Sequence, residues 1–137
     1  MSMFKIFDTA ATGMSAQSMR LNLVASNMAN ADAVSSSIDQ TYRARQPVFK
    51  AVMDQLNPDA TAAGVKMVGV LESQSPLVQE YAPDHPLANE EGYIFRPNVN
   101  MVEEMANMMS ASRSYQSNVE VANAAKQLLI ATIQMGQ

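Results

Sequence analysis

A chain of 137 residues and 14.9 kDa suits one domain, and a formal charge of −4 with a pI near 4.8 excludes the clustered basic face that nucleic-acid binding needs. The absence of cysteine removes disulfides, thiolate chemistry and cysteine-based metal sites, leaving the chain indifferent to redox compartment. Methionine is abundant at 12 against no tryptophan, so apolar surface is supplied by flexible side chains that adapt to several packing geometries.

The opening residues lack the charged n-region and continuous apolar stretch of a cleaved signal, and no apolar run approaches the roughly 18 residues of a membrane span. Neither direct membrane insertion nor signal-peptide export is expected. Residues 4–30 carry the first helix pattern: Phe7, Ala10, Met14, Gln17, Leu21, Val24 and Met28 recur at steps of three and four, which keeps them on one stripe. Ser2 or Asp8 offers an N-cap. Gly13 weakens the helix by about 1 kcal/mol relative to alanine, unless a neighbouring backbone approaches there. The run Asn27 to Asp32 dilutes helix propensity, so the helix should end near Asn30 to Ala33, with Ser35, Ser36 and Ser37 in a flexible connection.

From residue 34 to 97 the periodicity changes to that of short strands. Tyr42, Ala44, Gln46 and Val48 alternate with Arg43, Arg45 and Pro47, and Val65 to Leu71 is β-rich around Gly64 and Gly69. Pro58-Asp59, Pro83-Asp84-His85-Pro86 and Asn89-Glu90-Glu91-Gly92 supply turns, and Pro47 and Pro76 place strands at an edge. A small irregular β element of two to four strands is expected. After Pro97, Asn100 and Glu103 form a capping-box-like pair, and residues 101–135 contain no glycine or proline before Gly136. Met101, Met105, Met108, Ser112, Tyr115, Val119 and Ala122 form the seam of this second helix. It slips in phase through Ala125, Leu129 and Ile133, interrupted by Lys126.

The expected fold is therefore mainly α: two long terminal helices packed as a coiled-coil-like pair around a small β element. The expected segments are 1–33, 34–97 and 98–137. At about 1.5 Å per residue the helices span roughly 40 and 50 Å, and a lone hairpin of that kind buries too little apolar surface to offset chain entropy. Partner chains are the remedy. Amides beside the seams (Gln17, Asn22, Asn27, Asn30, Asn107, Gln116, Asn118, Asn123) read as a mixture, some solvated and some pairing across helix contacts to set register.

No catalytic, cofactor or metal site is expected. His85 is the sole histidine and sits in a turn, short of the three or four ligands a transition metal requires. There is no Gly-Xaa-Ser-Xaa-Gly elbow, the five glycines are scattered, and Glu90-Glu91 and Glu103-Glu104 are adjacent pairs unlike the opposed carboxylates of a glycosidase.

Thr12-Gly13-Met14-Ser15-Ala16-Gln17, Arg20-Leu21-Asn22 and Ser26-Asn27-Met28-Ala29-Asn30-Ala31 resemble the N-terminal signature of bacterial flagellar rod, hook and related axial proteins. Gly92-Tyr93, Pro97-Asn98-Val99-Asn100, Glu103-Glu104-Met105, Asn107-Met108-Met109 and Ser112-Arg113-Ser114-Tyr115-Gln116-Ser117-Asn118-Val119-Glu120 resemble the proximal rod branch of that family. Asp32-Ala33-Val34 and the serine run replace the Thr-Xaa-Gly-Tyr continuation of many axial relatives, and Met14 and Met28 stand where leucine is common. The resemblance implies subunits stacked helically with copies of themselves and other rod proteins into a periplasm-spanning drive shaft. It also implies contact with the MS-ring adaptor and the flagellar export apparatus, through type III secretion.

On that reading the assembly contacts fall on Met14, Gln17, Leu21, Val24, Asn27, Met28, Met105, Met109, Tyr115, Asn118, Val119 and Ala122, and the terminal segments lock into place on docking. A soluble coiled-coil adaptor or secretion chaperone would use the same seams to hold one partner in a closed complex. A membrane-surface helix over residues 4–30 would have only Lys5 and Arg20 to attract lipid.

Overall fold

A computed structural model describes residues 3–53 and 64–136. Helix α1 spans Met3–Ala29, strands β1 Arg45–Val52, β2 Gly64–Glu72, β3 Val78–Tyr81 and β4 Tyr93–Arg96, and helix α2 Met101–Met135. Strand β1 pairs with β2 and β3 with β4, giving two small antiparallel sheets. With 52% helix and 21% strand, the mainly α expectation is corrected to a mixed α and β chain. The expected short strands over 42–48 and 65–71 overlap β1 and β2, whereas β3 is exposed throughout and the Tyr93-Ile94-Phe95 run of β4 is too short for periodicity to assign. Ser2 and the Pro58-Asp59 turn lie outside the described residues. Asp8 falls inside α1 and does not cap it.

The chain divides into two compact units. The first is Met1–Leu21, Pro47–Gly69 and Met109–Gln137; the second is Asn22–Gln46 and Val70–Met108.

In the first unit the two helices run antiparallel, because Gly13 meets Asn118 while Phe4 and Phe7 share a pocket of about 270 Å³ with Ala125 and Leu129. A Cβ on Gly13 would stand 2.8 Å from Asn118 Nδ2, so glycine here permits the close approach. Strand β2 is fastened to α1 where the Val65 N–H donates to Thr12 Oγ1 at 3.2 Å. Among the described residues of this unit the buried apolar ones are Ala10, Ala16, Ala111, Ala122 and Ala125, all contributing methyl groups.

In the second unit β3 and β4 pair in register from Val78↔Arg96 to Tyr81↔Tyr93. Ser35 adds an antiparallel bridge to Phe95, with N–H to O distances of 3.0 and 2.9 Å. The serine run, expected as a flexible connection, is pinned. Ser37 N–H donates to Ser35 Oγ at 3.3 Å, Thr41 Oγ1 donates to the Ser37 carbonyl at 2.6 Å, and Ile38–Gln40 forms a 3-10 turn. Short hydroxyls that bond neighbouring backbone order a loop whose composition alone reads as loose. Helix α2 opens as its sequence specifies, with Asn100 Oδ1 accepting from the N–H of Val102 at 3.1 Å and of Glu103 at 3.3 Å.

Candidate assembly faces

Buried and half-buried residues form a stripe of α1 through Ala10, Gly13, Gln17, Arg20, Val24 and Asn27, with buried Ala16 beside it, and a stripe of α2 through Glu104, Met108, Ala111, Ser114, Asn118, Ala122, Ala125 and Leu129. Both follow steps of three and four, as expected, but several positions lie one residue before the expected seam. Asn27, Ala111 and Glu104 are buried where Met28 and Ser112 are half-buried and Met105 is exposed, while Gly13 and Met14, like Asn118 and Val119, are half-buried alike. The α2 stripe also runs through Ala122, Ala125 and Leu129 without the expected slip. Small and amide side chains line the inner stripe because they let a neighbouring backbone come close.

The twelve expected contact residues are distributed accordingly. Val24, Asn27 and Ala122 are buried within the chain, while Met14, Gln17, Leu21, Met28, Asn118 and Val119 are half-buried. Met105, Met109 and Tyr115 are exposed at 52%, 56% and 38%. Ile133, expected in the slipped seam, is exposed, and so are apolar residues of α2 outside that seam: Val102, Val121, Leu128 and Ile130. Phe4 and Phe7 are exposed on α1. A helix apolar on several sides is stable only when those sides are covered.

Two motif asparagines are internal clamps. Asn27, 1% exposed, accepts on Oδ1 from Tyr42 O–H at 2.8 Å and Arg45 N–H at 2.9 Å, and donates from Nδ2 to the Arg45 carbonyl at 2.9 Å. It joins the end of α1 to the start of β1. Asn98 accepts from Ala44 N–H at 2.8 Å and donates to the carbonyls of Ser73 at 3.2 Å and Ser75 at 2.9 Å. Arg43 donates to the same two carbonyls at 3.2 and 3.3 Å. Arg96 ties Asp32 at 3.2 Å and Glu80 at 3.6 Å. The one sequence signal for these roles is the run of asparagines flanking both helices, which hydropathy counting ignores.

The turn joining β3 to β4 is equally specified. Asn89 Oδ1 accepts from Glu91 N–H at 3.1 Å and Tyr93 N–H at 2.8 Å. Gly92 holds φ at +82°, where a Cβ would also stand 2.9 Å from the Tyr81 ring, so glycine is required twice over. His85 Nδ1 accepts from Leu87 N–H at 3.1 Å, making it a turn residue. Among the described residues no cluster of three or more His, Cys, Asp or Glu could hold a metal, and no helix is long and apolar enough to cross a membrane.

Paired terminal helices with outward apolar residues, joined through asparagine-clamped strands, define an axial assembly subunit, and the matches agree. Residues 7–35 match the family described as flagella basal body rod protein, and residues 90–135 match the flagellar basal body rod FlgEFG protein C-terminal family. The chain is 49% identical over 137 residues, all of both chains, to the flagellar basal-body rod protein FlgC of Escherichia coli O6:H1 (strain CFT073). It is 47% identical, again over the whole of both, to FlgC of Salmonella typhimurium (strain LT2), and 32% identical to FlgC of Borreliella burgdorferi, covering 93% of each. The chain belongs to the FlgC family of flagellar basal-body rod proteins and is a structural subunit of that rod.

Proposed function

We propose that this chain acts by polymerisation: copies of it stack helically with other rod proteins, and the resulting shaft carries motor torque across the periplasm to the hook. The observation that supports this is the distribution of apolar side chains. Among the described residues the buried apolar ones of the first unit are alanines, while Met105, Met109, Tyr115, Val121, Leu128, Ile130 and Ile133 of α2 stay uncovered. Covering them needs neighbours, and contacts spread along a long helix resist twisting better than one small patch. Met14, Gln17, Leu21, Val24, Asn27, Met28, Asn118, Val119 and Ala122 complete the proposed assembly set, the buried members acting by holding the helices in the shape that presents the exposed ones. The MS-ring adaptor lies at one end of the shaft, and the flagellar export apparatus delivers the chain by type III secretion.

The test compares exposed with buried positions. Val24→Asp would place a charge at a site 4% exposed and unfold the subunit itself, so its failure to assemble would say little. Met109→Asp alters an exposed residue. It should leave the soluble chain as stable as wild type while abolishing its recovery in detergent-purified basal bodies and its motility. Normal swimming and normal incorporation of Met109→Asp and Tyr115→Asp together would overturn the proposed face.

A further inference from the structure

The two β ribbons carry opposite charge. Residues 43–72 hold Arg43, Arg45, Lys50 and Lys66 against Asp54, Asp59 and Glu72, a small positive excess, whereas residues 77–92 hold Glu80, Asp84, Glu90 and Glu91 with no lysine or arginine. Arg45 is engaged by Glu72 at 3.5 Å and Arg43 by backbone carbonyls, so Lys50 and Lys66 are the exposed cations of the first ribbon without an ion pair among the described residues. Strand alternation puts Lys50 and Val52 on one face of β1, and Lys66 and Val68 on one face of β2. All four line a single groove of about 640 Å³ with Ala51 and Met53. Val52, Met53 and Val68 there are 43%, 66% and 55% exposed. A two-stranded ribbon with an uncovered apolar face is marginal alone.

The acidic segment has the complementary form. Tyr81 and Leu87 are 65% and 47% exposed, and Asp84, Glu90 and Glu91 beside them are exposed. The Asn89 hydrogen bonds and the Gly92 conformation hold this turn in one shape, so presenting its carboxylates requires little further ordering.

We propose that the Lys50, Val52, Met53, Lys66 and Val68 face of the first ribbon docks the acidic turn, carrying Tyr81, Asp84, Leu87, Glu90 and Glu91, of a second copy of this chain. The patches are different surfaces, so the contact is heterologous and continues from copy to copy. It lies outside the terminal helices and adds a lateral tie to them. Apolar contact supplies the area, and the two lysines fix orientation and partner choice. This rests on the polymerising role proposed above.

The chain has no native cysteine, so introduced ones report cleanly. In cells carrying Lys66→Cys and Glu90→Cys in one chain, mild oxidation of purified basal bodies should give disulfide-linked multimers of this chain, and neither single variant should do so. A link within one chain, or to a different rod protein, would overturn the proposal. As an independent measure, Lys50→Glu with Lys66→Glu should lower incorporation into basal bodies by about three- to tenfold, the scale of two exposed ion pairs. Adding Glu90→Lys and Glu91→Lys to the same chain should restore it. Unchanged incorporation of the first variant, or no rescue by the second, would also overturn the contact. Double-cysteine chain present in basal bodies without the cross-link leaves the rod reading standing and removes this contact alone; absence of wild-type chain from basal bodies removes both.

Discussion

Asn27 shows how much a single amide can decide. Its side chain closes three hydrogen bonds at 2.8 to 2.9 Å in a site where water cannot substitute, and it is the largest fully buried side chain among the described residues. Replacing it with alanine takes away its partners on the Arg45 backbone while the Tyr42 hydroxyl keeps Ser26 Oγ at 3.3 Å, so Asn27→Ala should cost about 1–3 kcal/mol, read as a lower urea midpoint. Glu104 gives the opposite case. It is 7% exposed and its Oε2 has no partner among the described residues, an arrangement that burial penalises. Glu104→Met keeps the volume and removes the orphaned oxygen, and should raise the same midpoint by about 1–2 kcal/mol. A fall would mean that Glu104 is engaged in solution.

At the scale of elements, the Gly13 contact sets the spacing of the helices in the first unit. Gly13→Ala gains about 1 kcal/mol of helix propensity but drives a methyl group toward Asn118 Nδ2, 2.8 Å away. Asn118→Ala opens that space. A double-mutant cycle should therefore give a favourable coupling of about 1–2 kcal/mol, with the double variant more stable than either single change predicts; additive values would show that the helices relax apart freely. The start of α2 depends on Asn100, whose side chain takes two orphan N–H groups. Asn100→Ala should lower stability by about 1 kcal/mol, with the far-ultraviolet helix signal fraying first at that end.

At the scale of the whole molecule, the buried apolar residues divide unevenly: Val24, Ile94 and Phe95 lie in the second unit and, among the described residues, only alanines in the first. Alanines occupy the interior of the first unit and large aliphatic and methionine side chains its outside. Such a chain gains apolar burial chiefly from neighbours. We expect helicity by circular dichroism to rise with chain concentration and with added rod proteins, because the uncovered stretches of α1 and α2 are stabilised only on docking. Full helicity in the dilute monomer would show instead that the helices are self-sufficient.

Both helices, their ends near Asn30 and at Met101, and the Asn100 cap were legible because local rules govern them: periodic apolar spacing, the loss of propensity after Asn27, and a side-chain acceptor three residues before the N–H that donates to it. The family was legible because its motifs flank those helices. Which residues of each seam turn inward was not. Counting hydropathy favours Met14, Met105 and Tyr115, whereas close approach of two backbones favours Gly13, Ala111 and Asn118, and only the tertiary structure says how near the backbones come. The same reason hid β3, β4 and the ordered serines: four-residue strands and hydroxyl turns exist through partners distant in sequence, such as Phe95 for Ser35 and Arg96 for Val78. Local propensity wrote the helices into the chain, and long-range hydrogen bonding and backbone proximity decided which faces they leave for their neighbours.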